Sequence, residues 1–379
     1  MQPFDMLDAD VILDGRATDA YFLRTEETLA AAEKNPHVDI EVTADQYPDG
    51  SPELLAGVRD VARLLEGLPV SVDAMPEGTL FDGGPVMRIS GPYAEIARYE
   101  TSILGFLSQA SGFATRALQA RHAAPDSSLL SFGARHVHPA IAPIVERSAL
   151  IAGFDGISHV ASGELLSVEA SGTMPHALML CFGRGEQEAA WLAFDRAVAP
   201  EVPRVALCDT FSDEVEEVLR AADALGDALD SVRIDTTSSR RGAFRDILRE
   251  VRWELNMAGH SDVGLFASGG INLDALQALR DIVDGFGVGS FITSADPVDF
   301  AMDIVAVDGE PISKRGKRSG VKAVYRDEAG EIVIQPKSES APDGYTALLE
   351  PLIRDGEIVR DSSINAAAEH AETQRRYLD

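Results

Sequence analysis

Short apolar runs at 129–132, 166–168, 205–208, 232–234, 263–267 and 286–288 alternate with segments whose apolar positions recur at helical spacing. Strand then helix, repeated along the chain, predicts parallel strands in an α/β domain. Polar and glycine residues stand at the carboxyl end of each run: Arg135, then Thr173 and His176, then Asp209, then Asp235, then Ser268-Gly269-Gly270, then Gly287-Val288-Gly289-Ser290. One such end would be an ordinary loop. Six in series predict a shared face, and in a closed α/β barrel that face carries the site.

Around this region the pattern is mixed. A helical stretch at 25–34, β-like segments at 38–42, 69–72 and 86–89, and turns at Pro48-Asp49-Gly50 and Gly83-Gly84-Pro85 predict an α+β unit. Residues 95–121 set apolar positions at helical spacing among small residues, which predicts a long, largely buried helix pair. After residue 303 the chain becomes β-like again: 321–325 and 331–335 around the turn Asp327-Glu328-Ala329-Gly330 predict a hairpin, and 363–376 a polar terminal helix. The expected organisation is 1–120 with its linking helix, 121–300 as the barrel, and 301–379 as a β-rich return with a terminal helix.

Charge narrows the function. The 379 residues carry 62 acidic and 33 basic side chains, a formal net charge of −29, so nucleic acid and anionic membrane surfaces are poor partners. Only Lys34, Lys314, Lys317, Lys322 and Lys337 are lysines. Few lysines beside many carboxylates predict adaptation to high salt, where concentrated cations screen a dense acidic surface. Cys181 and Cys208 cannot make a disulfide framework or a four-thiolate zinc site. With no apolar run near ~18 residues, the expectation is a cytoplasmic protein that does not span a membrane.

The candidate chemistry follows from four features. Two glycine-rich turns, ASGGI at 267–271 and GVGS at 287–290, follow the last two strands, where barrels cradle phosphate with backbone N–H groups. Three of the five lysines crowd into PISKRGKRSGVK at 311–322, a loop suited to phosphate or pyrophosphate. FGARHVHP at 132–139 and SGTMPHA at 171–177 bring Arg135 and histidines to strand ends, with spacings that match no zinc pattern. Asp209 and Asp235 each follow an apolar run and can bind sugar hydroxyls, hold Mg²⁺ to a phosphorylated ligand, or steady a developing positive charge, although Asp is also a good helix cap. Together they describe a site for a Mg²⁺-bound phosphorylated sugar, which leaves aldolases, isomerases and glycosyl transferases open.

Those motifs resemble, in order, the nicotinate phosphoribosyltransferases of archaeal type, within the type II phosphoribosyltransferases. RATDAYFLRTEETL (16–29), ILGFLSQASGFAT (103–115), FGARHVHP, SGTMPHA, CDT, VRIDT, ASGGI, FGVGS and KRGKRSG carry the resemblance. It implies an irregular TIM-like α/β barrel with an α/β sandwich domain formed by N-terminal and C-terminal segments, in a homodimer or higher homo-oligomer whose sites take residues from both subunits. The implied reaction joins nicotinate to phosphoribosyl pyrophosphate, giving nicotinate mononucleotide and pyrophosphate for NAD synthesis, with Mg²⁺ and with ATP as co-substrate.

The resemblance also implies roles. Tyr21 from the neighbouring subunit and Phe132 sandwich the pyridine ring, Arg233 flanks it or meets its carboxylate, and Arg135 binds ligand phosphate or carboxylate. Ser158 stands where nicotinamide-using relatives carry an Asp, which favours the acid. Asp209 and Asp235 hold the ribose hydroxyls and Mg²⁺; Gly269, Gly270, Gly287, Gly289 and Ser290 cradle the 5′-phosphate; Lys314, Lys317 and Lys322 receive pyrophosphate. His176 matches the histidine that ATP phosphorylates. No cysteine follows Cys208, so no structural zinc is expected. Quinolinate phosphoribosyltransferase is the nearest rival, and a non-catalytic phosphoribosyl-ligand sensor the alternative from another class. A Schiff-base aldolase is disfavoured because no strand end carries a lysine.

Overall fold

The computed structural model describes residues 4–45, 51–240, 242–360 and 363–378; the turn expected at Pro48-Asp49-Gly50 lies outside the described residues. The chain forms two compact units, one of Met1–Leu118, Arg147–Gly153 and Ala295–Asp379, the other of Gln119–Glu146 and Phe154–Ser294.

The first unit is built on a seven-stranded antiparallel sheet, in the order Glu310–Pro311, Phe300–Val307, His37–Ala44, Gly84–Pro92, Ser71–Ala74, Glu350–Arg354, Glu357–Ile358. Alternation decides its buried face: Val38, Ile40, Val42 and Ala44 are all nearly inaccessible. They share a core with Val58, Val61, Ala62 and Leu65 of the helix Val58–Leu65 and with Ile103 and Leu107. The hairpin forms as expected, Lys322–Arg326 pairing with Ile332–Pro336 in the register Val324↔Ile334. The expected helix pair is instead one helix, Glu100–Ala123, preceded by short turns. One of its two glycines is there for packing: a Cβ on Gly112 would stand 2.4 Å from the Asp296 carbonyl oxygen.

The second unit holds a six-stranded parallel sheet. In chain order its strands are β1 (Ser128–Ser131), β2 (Gly156–Ile157), β3 (Val205–Leu207), β4 (Ser231–Ile234), β5 (Gly264–Ala267) and β6 (Gly285–Val288), paired in space as β2-β1-β6-β5-β4-β3. Registers such as Phe286↔Leu129 and Ala267↔Ile234 bring the carboxyl ends to one edge of a curled sheet. The apolar run at 166–168 is not one of these strands. It is the end of the helix Val160–Leu166, closed by Ser167 in the left-handed region and by the Val168 N–H donating to the Gly163 carbonyl at 3.0 Å. The strand in that part of the chain is β2, only two residues long, extended by a bridge from Ile157 to Ala170. Among the described residues no helix is long and apolar enough to cross a membrane.

Candidate active site

The second unit opens a cavity of about 730 Å³ whose lining includes Phe132, Arg135, Ser158, His159, Thr173, His176, Arg233 and Asp235. Phe132 follows directly on β1, and its ring rests on β6 at Gly287, where a Cβ would stand 2.2 Å from it. Gly287 therefore lies inside a strand and seats an aromatic ring; it is not part of a turn, as the sequence had suggested. Gly289 makes room in the same way, since a Cβ there would come 3.0 Å from the Phe132 carbonyl oxygen and 3.2 Å from His136 Nε2.

Arg233, in β4, is largely buried beside that ring. Its guanidinium carbon lies 5.9 Å from the Phe132 ring centre, Nη2 donates to the Met174 carbonyl at 3.1 Å, and Nη1 stands 3.5 Å from Asp235 Oδ2. Burial lowers its hold on the proton, which the Asp235 and Asp209 charges oppose. The result is a fixed cation at an aromatic wall.

Asp209, just past β3, is almost completely buried, and both of its oxygens are engaged. Oδ1 lies 3.0 Å from His176 Nε2; Oδ2 accepts the Asp235 N–H at 2.7 Å and faces the Thr236 hydroxyl at 3.3 Å. His176 opens the helix His176–Phe182 behind Pro175, partly exposed to the cavity. Its hydrogen bond to Asp209 holds the imidazole pKa above the ordinary value, against partial burial. Asp235 keeps a more accessible carboxylate. Gly269 and Gly270, both at positive φ, pass directly beneath it, and a Cβ on Gly269 would stand 2.5 Å from Asp235 Oδ1. Two successive left-handed glycines give the kind of turn that turns N–H groups toward an anion.

Two residues of this region escaped the sequence reading. His159 lines the cavity next to Ser158, and its Nδ1 accepts the Ser162 N–H at 3.3 Å and meets the Ser162 hydroxyl at 2.7 Å. Glu146 lies fully buried on the helix Ala142–Ile151. The Ser131 hydroxyl and the Ser158 and His159 N–H groups approach its carboxyl, none closing to a full hydrogen bond, and burial outweighs them to raise its pKa. A charge inside the apolar run APIVERSALI was the available signal.

Residues 19–111 match the family model "Quinolinate phosphoribosyl transferase, N-terminal domain", and residues 113–303 match "Quinolinate phosphoribosyl transferase, C-terminal domain". The chain belongs to the quinolinate phosphoribosyl transferase family. Within this phosphoribosyltransferase family, a crystal structure of nicotinate-nucleotide pyrophosphorylase from Pyrococcus furiosus is 47% identical, covering 100% of this chain and 99% of that one with a TM-score of 0.94. Nicotinate phosphoribosyltransferase pncB1 of Mycobacterium tuberculosis is 29% identical over 320 residues, 78% of this chain and 69% of its own length. The human nicotinic acid phosphoribosyltransferase structure, 22% identical over 96% of this chain and 94% of that one with a TM-score of 0.79, shares the fold.

Of the remaining predicted residues of this phosphoribosyltransferase, Tyr21, Lys314, Lys317 and Lys322 lie in the first unit and Ser290 in the second. Tyr21 is exposed on the helix Ala20–Ala31. Lys314 and Lys317 both reach the buried Asp303, at 2.6 and 3.2 Å. Burial works to raise the Asp303 carboxyl, but the two lysines prevail and hold it below the usual range. A second cavity of about 490 Å³ includes Glu100, Asp303 and Lys314 in its lining. Lys322 is committed to packing, its Nζ 2.8 Å from the buried Glu41 carboxylate and 2.9 Å from the Gly320 carbonyl. Ser290 begins the short helix Ser290–Thr293 of the second unit, just after Gly289.

Proposed function

We propose that this phosphoribosyltransferase joins nicotinate to phosphoribosyl pyrophosphate, forming nicotinate mononucleotide and releasing pyrophosphate, and that ATP drives the reaction. The observation that carries the reading is the convergence of Phe132, Arg233 and Asp235 on one cavity. A flat heterocycle packs on Phe132, and Arg233 meets its carboxylate. Ser158 suits an acid because an Asp in its place would repel one. Asp235 faces the ribose, where its charge steadies C1 as the bond to pyrophosphate lengthens and positive character builds.

The 5′-phosphate belongs at Gly269, Gly270, Gly289 and Ser290, and Arg135 adds a guanidinium to the same cavity. Among the described residues no three or more His, Cys, Asp or Glu side chains gather to hold a metal ion, and Asp209 has both oxygens engaged. These residues fit Mg²⁺ arriving chelated by pyrophosphate, with Asp235 the carboxylate free to meet it. Lys314 and Lys317, neutralising a single carboxylate between them, are the cations suited to receive pyrophosphate. In the proposed dimer Tyr21 of the partner subunit closes the ring pocket, and the six-stranded sheet is part of an irregular barrel.

The contact with Asp209 supports a role for the histidine as phosphate acceptor. With Nε2–H donated to Asp209, His176 Nδ1 carries the lone pair that attacks the γ-phosphorus of ATP: an N–P bond forms, the P–O bond to ADP breaks, and the imidazolium is stabilised by Asp209. Water later cleaves the N–P bond.

Quinolinate is the second reading, favoured by the family whose domains the chain matches. The deciding experiment measures pyrophosphate release with Mg²⁺ and phosphoribosyl pyrophosphate in molar KCl, offering nicotinate, nicotinamide and quinolinate separately, with and without ATP. Release with nicotinate, stimulated by ATP, supports the proposal. Release with quinolinate together with carbon dioxide overturns it for the second reading.

A further inference from the structure

The antiparallel sheet of the first unit buries Val38, Ile40 and Val42 on one face, so Asp39 and Glu41 stand on the other. Across that outer face the registers set two rows: Asp39, Ser90 and Ser71 in one, and Asp303, Glu41, Arg88 and Asp73 in the next. The carboxylates of the second row gather four of the chain's five lysines, Lys314 and Lys317 on Asp303, Lys322 on Glu41, and Lys337 beside Asp73. In a chain so poor in lysine, this is where positive charge is concentrated.

The Asp73 end carries more of it than the carboxylate needs. Arg88, itself buried, and Arg354 both donate to Asp73, and Lys337 Nζ stands 3.7 Å away, too far for a hydrogen bond. Burial works to raise the Asp73 carboxyl, but the Arg354 hydrogen bond and the three positive charges hold it below the ordinary value. These groups line a cavity of about 300 Å³ with Asp39, Ser71 and Ser90; among the described residues of its lining only Val321 is apolar. Lys337 is exposed, and its Nζ makes no hydrogen bond among the described residues. Ser71 Oγ accepts the Asp355 N–H at 3.2 Å and keeps its own proton to give. Asp39 takes the Ser90 hydroxyl on Oδ1, which leaves Oδ2 as an acceptor. Asp39 and Ser71 stand two strands apart, about 10 Å at the usual strand spacing.

We propose that this cavity is a binding site of the first unit for a phosphorylated pentose: Lys337, Arg354 and the Ser71 hydroxyl hold the phosphate, and Asp39 Oδ2 accepts from a sugar hydroxyl. A bare anion gains nothing from Asp39 and is repelled by it. A neutral sugar has no charge for Lys337 and Arg354, and an apolar ligand finds no wall. A pentose phosphate satisfies both ends and spans the distance between them. The inference does not rest on the reaction proposed above.

Two substitutions separate the ends. Lys337→Gln removes an exposed charge that holds no other element in place. Asp39→Asn keeps an oxygen for the Ser90 hydroxyl, lowers the negative charge, and replaces a charged acceptor by an amide donor.

The experiment measures calorimetric binding of ribose 5-phosphate, inorganic phosphate and ribose to the wild type and both variants at one KCl concentration, with thermal melts of each. The wild type is expected to bind ribose 5-phosphate more tightly than phosphate, and ribose not detectably. Lys337→Gln should weaken both anions roughly ten-fold, the scale of one hydrogen bond to a charged group. Asp39→Asn should weaken ribose 5-phosphate by a similar factor and leave phosphate equal or tighter, a divergence that general damage to the fold does not produce. Binding that persists in full in Lys337→Gln belongs elsewhere and overturns the inference, as does a wild type that binds neither anion. Parallel weakening of both anions in Asp39→Asn, or no change in either, overturns it as well.

Discussion

Asp209 links His176 to Asp235: one carboxylate oxygen lies 3.0 Å from His176 Nε2, and the other accepts the Asp235 backbone N–H at 2.7 Å. A single buried side chain therefore orients both the proposed phosphate acceptor and the residue proposed to face the ribose. Asp209→Asn keeps the volume but puts an NH₂ group against one of these two partners. His176 should then titrate closer to 6.5, the ordinary value from which Asp209 raises it, as read from its imidazole proton shift by NMR. Phosphate transfer from γ-labelled ATP should fall by roughly 100-fold. Because the folded pKa is raised, the pair's stabilisation is complete below about pH 6.5 and is lost as pH rises through the folded value. Asp209→Asn should remove that slope. Unchanged labelling in the variant would reject the assignment, as would labelling that persists in His176→Ala.

Gly287→Ala tests the seat of Phe132. The added methyl would stand 2.2 Å from the ring, so the ring or the strand must shift. Overpacking of this kind costs about 1–3 kcal/mol, visible as a lower denaturation midpoint. The KM for the pyridine substrate should rise roughly ten-fold or more, while that for phosphoribosyl pyrophosphate changes less. Equal rises in both KM values would mean that Gly287 serves the phosphate rather than the ring.

The outcome at Gly287 shows which parts of the site a sequence exposes. Arg135, Asp209 and Asp235 follow apolar runs, so strand pattern alone put them on one edge, whereas Phe132 and Arg233 lie inside such runs and only the family resemblance singled them out. Gly287 was read as a turn because its glycine neighbours look alike in sequence, and only the ring lying across it reveals its purpose. The run at 166–168 was misread because a short apolar stretch has no period to distinguish a strand from a helix end. The true strand, Gly156–Ile157, is too short to leave a pattern. His159 left no pattern, and Glu146 left only a charge inside an apolar run; what Glu146 faces, the turn at 158–159, is supplied by the fold.

Charge predicts a salt dependence. At a formal −29 the folded chain repels itself more strongly than the expanded one. Added KCl shortens the Debye length from about 10 Å at 0.1 M to about 3 Å at 1 M. The melting temperature should climb through that interval and flatten beyond it. Exposed pairs such as Arg245–Asp281 weaken in the same range, but they contribute little, so the repulsion dominates. A flat or falling melting temperature between 0.1 and 2 M KCl would remove the case for salt adaptation.

Glu53 supplies a pH effect of opposite origin. It is buried in a two-stranded ladder against Leu80–Phe81, and burial, with Asp82 adding its charge, pushes its carboxyl up to about 7. The folded chain holds this proton more tightly than the unfolded one, so the stabilisation is complete below the unfolded value of 4.5 and is lost as pH rises through about 7. Glu53→Gln keeps the shape and removes the titration. Relative to wild type, the variant should gain about 2–3 kcal/mol between pH 5 and pH 8, at 1.4 kcal/mol per pKa unit, measured from urea midpoints at one salt concentration. Glu100, likewise pushed to about 7 by burial and then by Asp303, keeps its own share of the slope in both proteins and cancels in the difference. A constant gap between variant and wild type across that range would mean that Glu53 is ionised in the folded protein throughout.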